Sequence, residues 1–366
     1  MDMLLLEDCC DILDSQRVPI TAADRKKGEY PYYGANGIQD YVADYIFDDE
    51  LVLLAEDGGN FGSKERPIAY RVSGKCWVNN HAHVLKPKAG MDVDYLCYSL
   101  MFYNTDGLVN GATRQKLTQA TMRKMEIPKR SIDEQKAIVA KLAKTQSIIT
   151  HRKQQLAKLD ELIKARFVEM FGDINVNDKG WDIQPLGDLC TIVRGGSPRP
   201  IEKFLGGTIP WIKIGDATDG ESIYLNSTKE HIIQEGVKKS RLVKAGSLIF
   251  ANCGVSLGFA RIITFDGCIH DGWLAMEDID EQLNKVFLLQ ALNQMTDHFR
   301  AIAPAGTQPN LNTAIMKAYK QILPPMTLQN DYIAFVEKIN KSKVAVQKAL
   351  DEAQLLFDSL MQEYFG

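Results

Sequence analysis

SIDEQKAIVAKLAKTQSIITHRKQQLAKLDELIKARFVEM, residues 131–170, is the stretch that decides the fold, because it lacks proline and glycine and its apolar residues recur every seven positions. It opens with a capping box, in which a serine N-cap precedes Glu134 at the third helical position. Pro128 keeps the preceding chain extended, and Gly172 offers a stop. The predicted seam consists of Leu142, Ile149, Leu156, Ile163 and Met170. A strict seven-residue repeat keeps one face toward a partner, so we predict a coiled-coil helix roughly 60 Å long.

A second segment with the same repeat follows Pro324-Pro325 and extends to about Phe365, with Thr327 as the predicted N-cap. Its seam is Tyr332, Ile339, Val346, Ala353 and Leu360. A second row, Val336, Leu350, Phe357 and Tyr364, is interrupted by Lys343. Two ordinary core helices of a bundle would also show apolar rows. The coiled coil is preferred because both repeats persist over several periods and no other long helix is predicted for them to join.

The chain also contains two copies of one pattern. Residues 51–55 match residues 247–251, and each run is followed by two similarly spaced glycines. Shorter matches pair residues 6–8 with 186–188, 30–32 with 209–211, 127–128 with 323–324, and 137–142 with 334–339. The last match aligns Leu142 with Ile339 and Ile149 with Val346. The second copy has an insertion in its middle.

Each copy therefore combines a β-rich globular part with a long helix. Short β-type runs are predicted at residues 51–54, 69–72, 77–79, 248–251 and 259–264. Helical pieces are predicted at residues 95–103 and 285–301. The expected fold is α+β, with two pseudo-symmetric β-rich domains, residues 1–130 and 173–326, joined by two long antiparallel coiled-coil helices, residues 131–172 and 327–366.

Composition excludes several classes of protein. The 366 residues carry a net charge of −4, so a DNA-binding function would require cations concentrated on one face or affinity contributed by partners. The seven cysteines form no Cys-x-x-Cys pair, which argues against a disulfide framework or zinc ribbon and favours a cytoplasmic location. No apolar run reaches the roughly 18 residues of a membrane span, and the N-terminus lacks the features of a signal peptide.

Catalytic motifs are not evident. The sequence contains no P-loop and no Asn/Asp-Pro-Pro-Tyr segment of an adenine methyltransferase. His81 and His83 are two residues apart and could share one face of a strand, which leaves a metal-dependent hydrolase as an alternative. No matching set of carboxylates or thiols accompanies them, so structural hydrogen bonding is the preferred interpretation. We therefore expect no enzymatic activity, no metal and no cofactor on this chain.

Two related but different globular parts joined by long helices could read two half-sites at a fixed spacing, as a repressor dimer reads its operator. The segment IPKRSIDEQKAIV, residues 127–139, resembles the central conserved region of the specificity subunits of type I restriction-modification systems. VRGGSP, residues 193–198, followed by IPWI, residues 209–212, resembles the opening of a target-recognition domain in that family. Gly111-Ala112-Thr113 and Ala305-Gly306-Thr307, each followed four residues after Thr by a leucine (Leu117 and Leu311), resemble its domain-closing segment.

The resemblance covers essentially the whole chain. It implies that each globular part is a target-recognition domain that reads one half of an asymmetric, bipartite site in double-stranded DNA. It implies that the helices set the spacer and dock two methyltransferase subunits, which use S-adenosylmethionine, and motor-nuclease subunits, which use ATP, where a system has them. The first domain departs from the pattern, because it has DSQRVP at residues 14–19 in place of the Gly-Gly-Ser-Pro turn. The alternative is a two-headed coiled-coil scaffold that binds proteins without recognising DNA, which the acidic balance favours.

Candidate DNA contacts are cations, amides, hydroxyls and aromatic rings in the predicted loops. In the first domain they are Arg25, Lys26, Lys27, Tyr32, Tyr33, Asn36, Asn60 and Lys64, with Arg114, Gln115 and Lys116 in the closing segment. In the second domain they are Arg194, Ser197, Arg199, Lys203 and Lys213, the basic cluster of Lys238, Lys239 and Arg241, and Gln308 and Asn310 in the closing segment. Each could instead be a solvated surface residue, the aromatic rings could belong to the core, and the basic cluster could be a phosphate clamp or a solvated turn.

Overall fold

The computed structural model describes residues 2–111, 114–218, 223–254, 256–304 and 310–366, so Gln308 lies outside the described residues. The chain divides into two compact units. The first unit comprises Met1–Gln154 and Gln347–Gly366, and the second comprises Gln155–Val346. Each unit contains one globular part and a segment of each long helix, whereas the boundaries drawn from the sequence separate the helices from the globular parts.

The first unit is built on strands β1 (Met3–Leu5), β2 (Cys10–Ile12), β3 (Lys27–Gly34), β4 (Gly37–Val42), β5 (Phe47–Ala55), β6 (Ala69–Val78), β7 (Ala82–Pro87), β8 (Val109–Asn110), β9 (Lys116–Leu117) and β10 (Glu126–Pro128). Its helices are α1 (Leu6–Cys9), α2 (Val93–Met101), α3 (Gln119–Met122), the first part of α4 (Ile132–Phe171) and the last part of α10 (Met326–Phe365). Six strands form one sheet in the order β2-β7-β5-β6-β3-β4. Strand β5 is central, and its apolar run from Leu51 to Ala55 is fully buried, as expected of a strand covered on both faces.

The second unit contains strands β11 (Asp182–Pro185), β12 (Thr191–Arg194), β13 (Leu205–Ile212), β14 (Tyr224–Leu225), β15 (Glu230–Ile232), β16 (Arg241–Val243), β17 (Leu248–Ala251), β18 (Ala260–Ile263), β19 (Gly267–Ile269), β20 (Trp273–Glu277) and β21 (Lys320–Leu323). Its helices are the last part of α4, α5 (Leu186–Leu189), α6 (Gln234–Val237), α7 (Lys285–Gln294), α8 (Thr296–Ile302), α9 (Thr313–Ala318) and the first part of α10. The strands form one sheet of order β12-β20-β17-β18-β14 and another of order β15-β13-β19-β16.

The two units share one topology. Strands β12, β20, β17, β13 and β15 occupy the places of β2, β7, β5, β3 and β4. A parallel pair recurs as well, because Tyr32 lies opposite Trp77 in the first unit and Trp211 lies opposite Cys268 in the second. Two glycines after the central strand of each unit have positive φ, which a side chain would strain: Gly58, Gly62, Gly254 and Gly258. The duplicated α+β fold predicted from the sequence is confirmed.

Local differences from the prediction have tertiary causes. The runs at residues 69–72 and 77–79 are one continuous strand, β6, whereas its counterpart is divided into β18 and β19. The helix predicted at residues 285–301 is two helices, α7 and α8, which meet at Met295. The hydroxyl of Thr296 donates to the carbonyl of Gly258 (2.6 Å), so the break is held by a contact with a distant loop.

The long helices begin as local chemistry dictates. At the start of α4, the backbone N–H of Ser131 donates to Glu134 (2.8 Å) and its hydroxyl accepts from the Glu134 backbone N–H (3.4 Å), which confirms the capping box. Helix α10 begins at Met326, two residues earlier than an N-cap at Thr327 would place it. Thr327 is therefore not the N-cap. The carbonyl of Pro325 accepts from the backbone N–H groups of Leu328 and Gln329 and closes the first turn.

Helices α4 and α10 pack against each other within each unit. In the second unit, Lys343 forms an ion pair with Asp160 (2.6 Å) and Tyr332 donates its hydroxyl to the carbonyl of Ile163 (3.3 Å), an order that makes the pair antiparallel. In the first unit, Lys141 donates to the hydroxyl of Tyr364 (3.2 Å). All of the predicted seam residues are buried or half-buried: Leu142, Ile149, Leu156, Ile163, Met170, Tyr332, Ile339, Val346, Ala353 and Leu360.

The internal alignment of the two helices is three residues out of register in the sequence prediction. Leu4 lies opposite Ile127, and its counterpart Gln184 lies opposite Gln321, so Ile127 corresponds to Gln321 and the predicted match of residues 127–128 with 323–324 is wrong by two residues. Continuing from this register, Leu142 corresponds to Val336, not to Ile339. Both Leu142 and Val336 are fully buried, whereas Ile339 is half-buried. In a seven-residue repeat the apolar positions alternate at spacings of three and four residues. A shift of three residues therefore again places apolar residues of one copy on apolar residues of the other, so the repeat alone could not fix this alignment.

The cysteines, all of which lie in described segments, are free thiols, and six of the seven are buried. Among the described residues, no helix combines the length and the apolarity that crossing a bilayer requires.

Candidate nucleic-acid interface

In each unit, the loop after the central strand lies beside the domain-closing segment. The backbone N–H of Leu117 donates to the carbonyl of Glu56 (2.7 Å), and the backbones of Asp57 and Lys116 form an isolated antiparallel β-bridge. In the second unit, the backbone N–H of Leu311 donates to the carbonyl of Asn252 (2.8 Å), and the backbones of Cys253 and Asn310 form the same kind of β-bridge. This arrangement brings together two loops that are far apart in sequence, at the same place in both copies.

Four of the residues predicted in the first domain meet at this place. Arg114 forms an ion pair with Asp57 (2.6 Å) and contacts the ring of His81 (3.2 Å). Asn36 donates to the carbonyl of Gly58 (3.0 Å), and the backbone of Gly58 donates to the carbonyl of Gln115 (3.2 Å). The fourth residue, Lys116, forms an ion pair with the carboxylate of Glu56 (3.0 Å). Arg114 is 58% exposed, so its guanidinium is accessible to a phosphate or a base edge.

A buried polar network supports the closing segment of the first unit. The ring of His83 is fully buried and contacts the carboxylate of Asp14 (2.6 Å) and the carbonyl of Leu117 (2.9 Å). Burial would raise the pKa of Asp14, but hydrogen bonds from His83, Gln119 and the Val84 backbone outweigh it and lower the pKa. In the second unit, the buried amide of Asn252 holds the carbonyl of the equivalent Leu311 (3.0 Å).

Asp14, Glu56 and His83 place one potential ligand atom each within 4.8 Å of one another, as a metal site would require. The guanidinium of Arg17 already neutralises them, since it lies 2.6 Å from Glu56 and 3.5 Å from Asp14. Lys116 adds a second cation 3.0 Å from Glu56. The donor set therefore fits a hydrogen-bonded ion-pair network better than a metal ion. Because Asp14 and Arg17 face this network, the segment at residues 14–19 supports the fold beneath the loops.

In the second unit, the Gly-rich turn converges on Asp271. Ser197 donates its hydroxyl to the carboxylate (2.9 Å), Arg199 forms an ion pair with it (3.4 Å), and Arg194 donates to the Asp271 carbonyl (3.1 Å). Burial would raise the pKa of Asp271, but Ser197, His270 and Arg199 lower it. Burial lowers the pKa of His270, and nearby cations add to this effect.

The basic cluster packs against the same turn. Ser240 donates its hydroxyl to the carbonyl of Gly196 (2.7 Å), and a Cβ on Gly196 would lie 3.0 Å from the carbonyl of Lys239. Lys239 lies over the ring of Phe204 (4.8 Å). Lys238, Lys239 and Arg241 are exposed. The surface formed by Arg194, Ser197, Arg199, Lys238, Lys239 and Arg241 is named the second-unit basic surface.

Other predicted residues lie elsewhere or are tied to protein partners. Tyr32 is 1% exposed and its hydroxyl bonds to the backbone of Ile20, so burial removes it from the candidate contacts. Arg25 stacks on Tyr32 (4.3 Å) and pairs with Asp40 (3.4 Å). Arg25 and Lys26 precede β3 and Lys27 is its first residue, whereas Asn36 follows its end. The structure therefore separates these three cations from Asn36, with which the sequence prediction had grouped them.

The remaining candidates have mixed environments. Tyr33 is half-buried against Tyr70 (5.7 Å). Lys213 pairs with Glu230 and lies 5.9 Å from the ring of Trp211. The side chain of Asn310 accepts from Asn252 (3.1 Å). Asn60 is half-buried, and Lys64 and Lys203 are exposed.

Sequence reasoning missed the acidic partners of the cations. Asp57 and Asp271 organise Arg114 and Arg199, yet a search for basic and amide residues passes over carboxylates. His81 was considered only as a possible metal ligand. The role of Ser240 depends on its contact with Gly196, which no local signal reveals.

Comparison with known proteins defines the class. The family model described as the type I restriction modification DNA specificity domain matches residues 1–161 and 178–353. The chain therefore belongs to this family, and each match includes one globular part and most of the following helix.

The individual relatives are specificity subunits. A putative type I restriction enzyme specificity subunit of Haemophilus influenzae is 28% identical over 364 residues, which cover 94% of this chain and 89% of the relative. The type I restriction enzyme MjaIX specificity subunit of Methanocaldococcus jannaschii is 24% identical over 325 residues, 81% of this chain and 74% of the relative.

Solved structures show the same fold. The S subunit of a type I restriction-modification system from M. genitalium has a TM-score of 0.58 at 15% identity, with 100% of this chain and 96% of that chain covered. A chain from a study of complex assembly and conformational transition in the type I R-M system has a TM-score of 0.60 at 15% identity, with coverage of 100% and 97%.

Proposed function

We propose that this chain is the DNA sequence-specificity subunit of a type I restriction-modification complex and that each globular part reads one half of a bipartite, asymmetric site. The main support is the repetition of one sheet topology with different loops at the same place. Loops on a fixed scaffold can change what they bind without changing the fold. Because Arg114 and Asn36 in one copy have no identical counterparts in the other, the two half-sites should differ.

The charges support contact with DNA in spite of the net charge of −4. The second-unit basic surface collects five cations from two segments that are distant in sequence, residues 194–199 and 238–241. In the first unit, Arg114 lies at the closing segment with Asn36, whose amide can pair with base edges. Local concentration of cations, with affinity from partner subunits, would provide the phosphate contacts that the overall composition does not suggest.

In this function the two long helices set the spacer between the half-sites and dock two methyltransferase subunits. Those partners would bind S-adenosylmethionine, and motor-nuclease subunits, where the system has them, would use ATP. This chain would be the non-catalytic member of the complex and bind double-stranded DNA.

Two exchanges test the proposal in the assembled complex with its methyltransferase partner. Replacing residues 1–125 with those of another family member should change one half of the methylated sequence and leave the other half intact. Deleting one heptad from each helix removes about 10 Å of helix, so the spacer should shorten by about three base pairs while the half-sites stay the same. Altered half-sites after the heptad deletion would contradict the role of the helices.

A protein-binding scaffold is the competing function, and a gel-shift experiment distinguishes it. The complex of this chain with its methyltransferase partner should retard a duplex that contains the mapped site and release it to excess specific competitor. Equal competition by unrelated duplexes would favour the scaffold.

A further inference from the structure

A buried glutamine joins helix α4 to the globular part of the first unit. Gln135 is the fourth residue of α4 and is 1% exposed. Its side-chain amide donates to the carbonyls of Gly90 (3.0 Å) and Arg130 (3.0 Å), and its oxygen accepts from the backbone N–H of Asp92 (2.8 Å). Asp92 is the N-cap of α2. One side chain therefore connects the long helix, the chain just before it and the start of a helix in the globular part.

The second unit repeats this joint. Gln329 is the fourth residue of α10 and is fully buried. Its amide donates to the carbonyls of Gln282 (2.9 Å) and Pro324 (2.8 Å), and its oxygen accepts from the backbone N–H of Asn284 (2.9 Å). Asn284 is the N-cap of α7, as Asp92 is of α2. The same residue type thus makes three equivalent bonds in both copies.

Only a carboxamide of this length satisfies all three groups. Both of its N–H donors are used, and its oxygen meets a backbone donor. A glutamate would place a carboxylate against two carbonyls, and an apolar side chain would remove the hydrogen-bond partner of all three backbone groups, which is costly where water cannot replace it. The loop at residues 90–92, or 282–284, is bonded directly to the first turn of the helix, so the direction in which the helix leaves its globular part is fixed by directional bonds as well as by apolar packing.

We propose that Gln135 and Gln329 are positioning residues that set how strictly the protein discriminates the spacing of its half-sites. This inference rests on the proposed function. One added base pair shifts a half-site by about 3.4 Å and rotates it by roughly 35° around the DNA axis. A helix held rigidly to its globular part resists that change. A looser joint samples more directions and accepts altered spacers at a smaller energetic cost.

The test uses the full-length chain in complex with its methyltransferase partner. Methylation mapping of the wild-type complex first gives the half-sites and the spacer. Methylation rates are then compared on duplexes with the native spacer and with spacers one base pair shorter or longer, for Gln135→Met, Gln329→Met and the double variant. Gln16→Met is the matched control, since Gln16 is exposed in the short turn at residues 14–16 and lies on neither long helix.

We expect the preference for the native spacer to fall by about fivefold or more in each variant, and further in the double variant, with the half-site sequences unchanged. The control should keep the wild-type preference. A thermal melt of each variant establishes folding, and Gln135→Asn and Gln329→Asn, which keep the amide but shorten its reach, replace any methionine variant that does not fold.

Folded variants with an unchanged spacer preference would overturn the inference and leave the proposed function intact. If the wild-type complex itself methylates no bipartite site, both proposals fail. A change in the half-sites would also contradict the inference, because these glutamines are buried at the helix joints, remote in sequence from the loop residues assigned to DNA.

Discussion

Arg199 provides the most direct test of the second-unit basic surface. Its side chain is 78% exposed, and its ion pair with Asp271 spans 3.4 Å, so the guanidinium can exchange this partner for a phosphate at little cost. We predict that Arg199→Ala removes one phosphate contact. The substitution also leaves Asp271 without that cation, and the freed carboxylate would repel the DNA backbone.

The magnitude follows from counterion release. Each phosphate neutralised by the protein contributes about 0.9 to the slope of log K against log salt concentration. Loss of one contact should therefore reduce the change in affinity between 50 and 200 mM salt by about 3.5-fold. The slope should become shallower by about one, largely independent of DNA sequence.

Fluorescence anisotropy of the assembled complex on a labelled duplex, titrated at several salt concentrations, measures this slope. Lys244→Ala is the matched control, because Lys244 is 76% exposed and also forms an ion pair, with Asp266 (2.7 Å). Lys244 follows the last residue of β16, whereas Ser240 precedes the first residue of that strand. Its slope should match the wild type. An unchanged slope for Arg199→Ala, or equal changes in both variants, would refute the assignment of this surface to DNA.

Three further outcomes are expected. Phe167→Ala should cost about 3–5 kcal/mol in urea unfolding, since Phe167 is 1% exposed and contacts three aromatic rings, whereas Val168→Ala, at a 52% exposed neighbour, should stay within about 0.5 kcal/mol. Asp14 has a pKa in the folded protein below its ordinary value of about 3.9. Its contribution to stability is therefore complete above that pH and is lost as the pH falls through the folded value. Asp14→Asn should flatten the acid dependence of the urea midpoint, and an equally steep dependence would contradict the role of the network. Gly195→Ala should abolish recognition of one half-site and leave the other, because its Cβ would collide with the backbone of His270; methylation mapping that shows both halves intact would contradict this.

The candidate site was only partly predictable. Loop residues such as Arg114 and Arg199 were found because exposed cations near glycine turns are a local signal. Tyr32 was misassigned because the same β-type segment can present a tyrosine to solvent or to the core, and only the parallel pairing of β3 with β6 buries it. The basic cluster at residues 238–241 became part of a site only through the contact between Ser240 and Gly196.

The sequence by itself determined the two helices and the duplication. A capping serine, a glycine stop and a seven-residue repeat act over a few residues, so the limits of α4 follow from them to within one position. The correspondence between the copies follows from matched strands and turns.

Tertiary structure alone decided the alignment of the helices, the pairing of each cation with a carboxylate, and the joints made by Gln135 and Gln329. Each of these depends on groups that are distant in sequence and meet only when the sheet has formed. A glutamine near the start of a helix has the same local pattern whether its amide faces water or three backbone groups, so its partners could be known only from the folded chain.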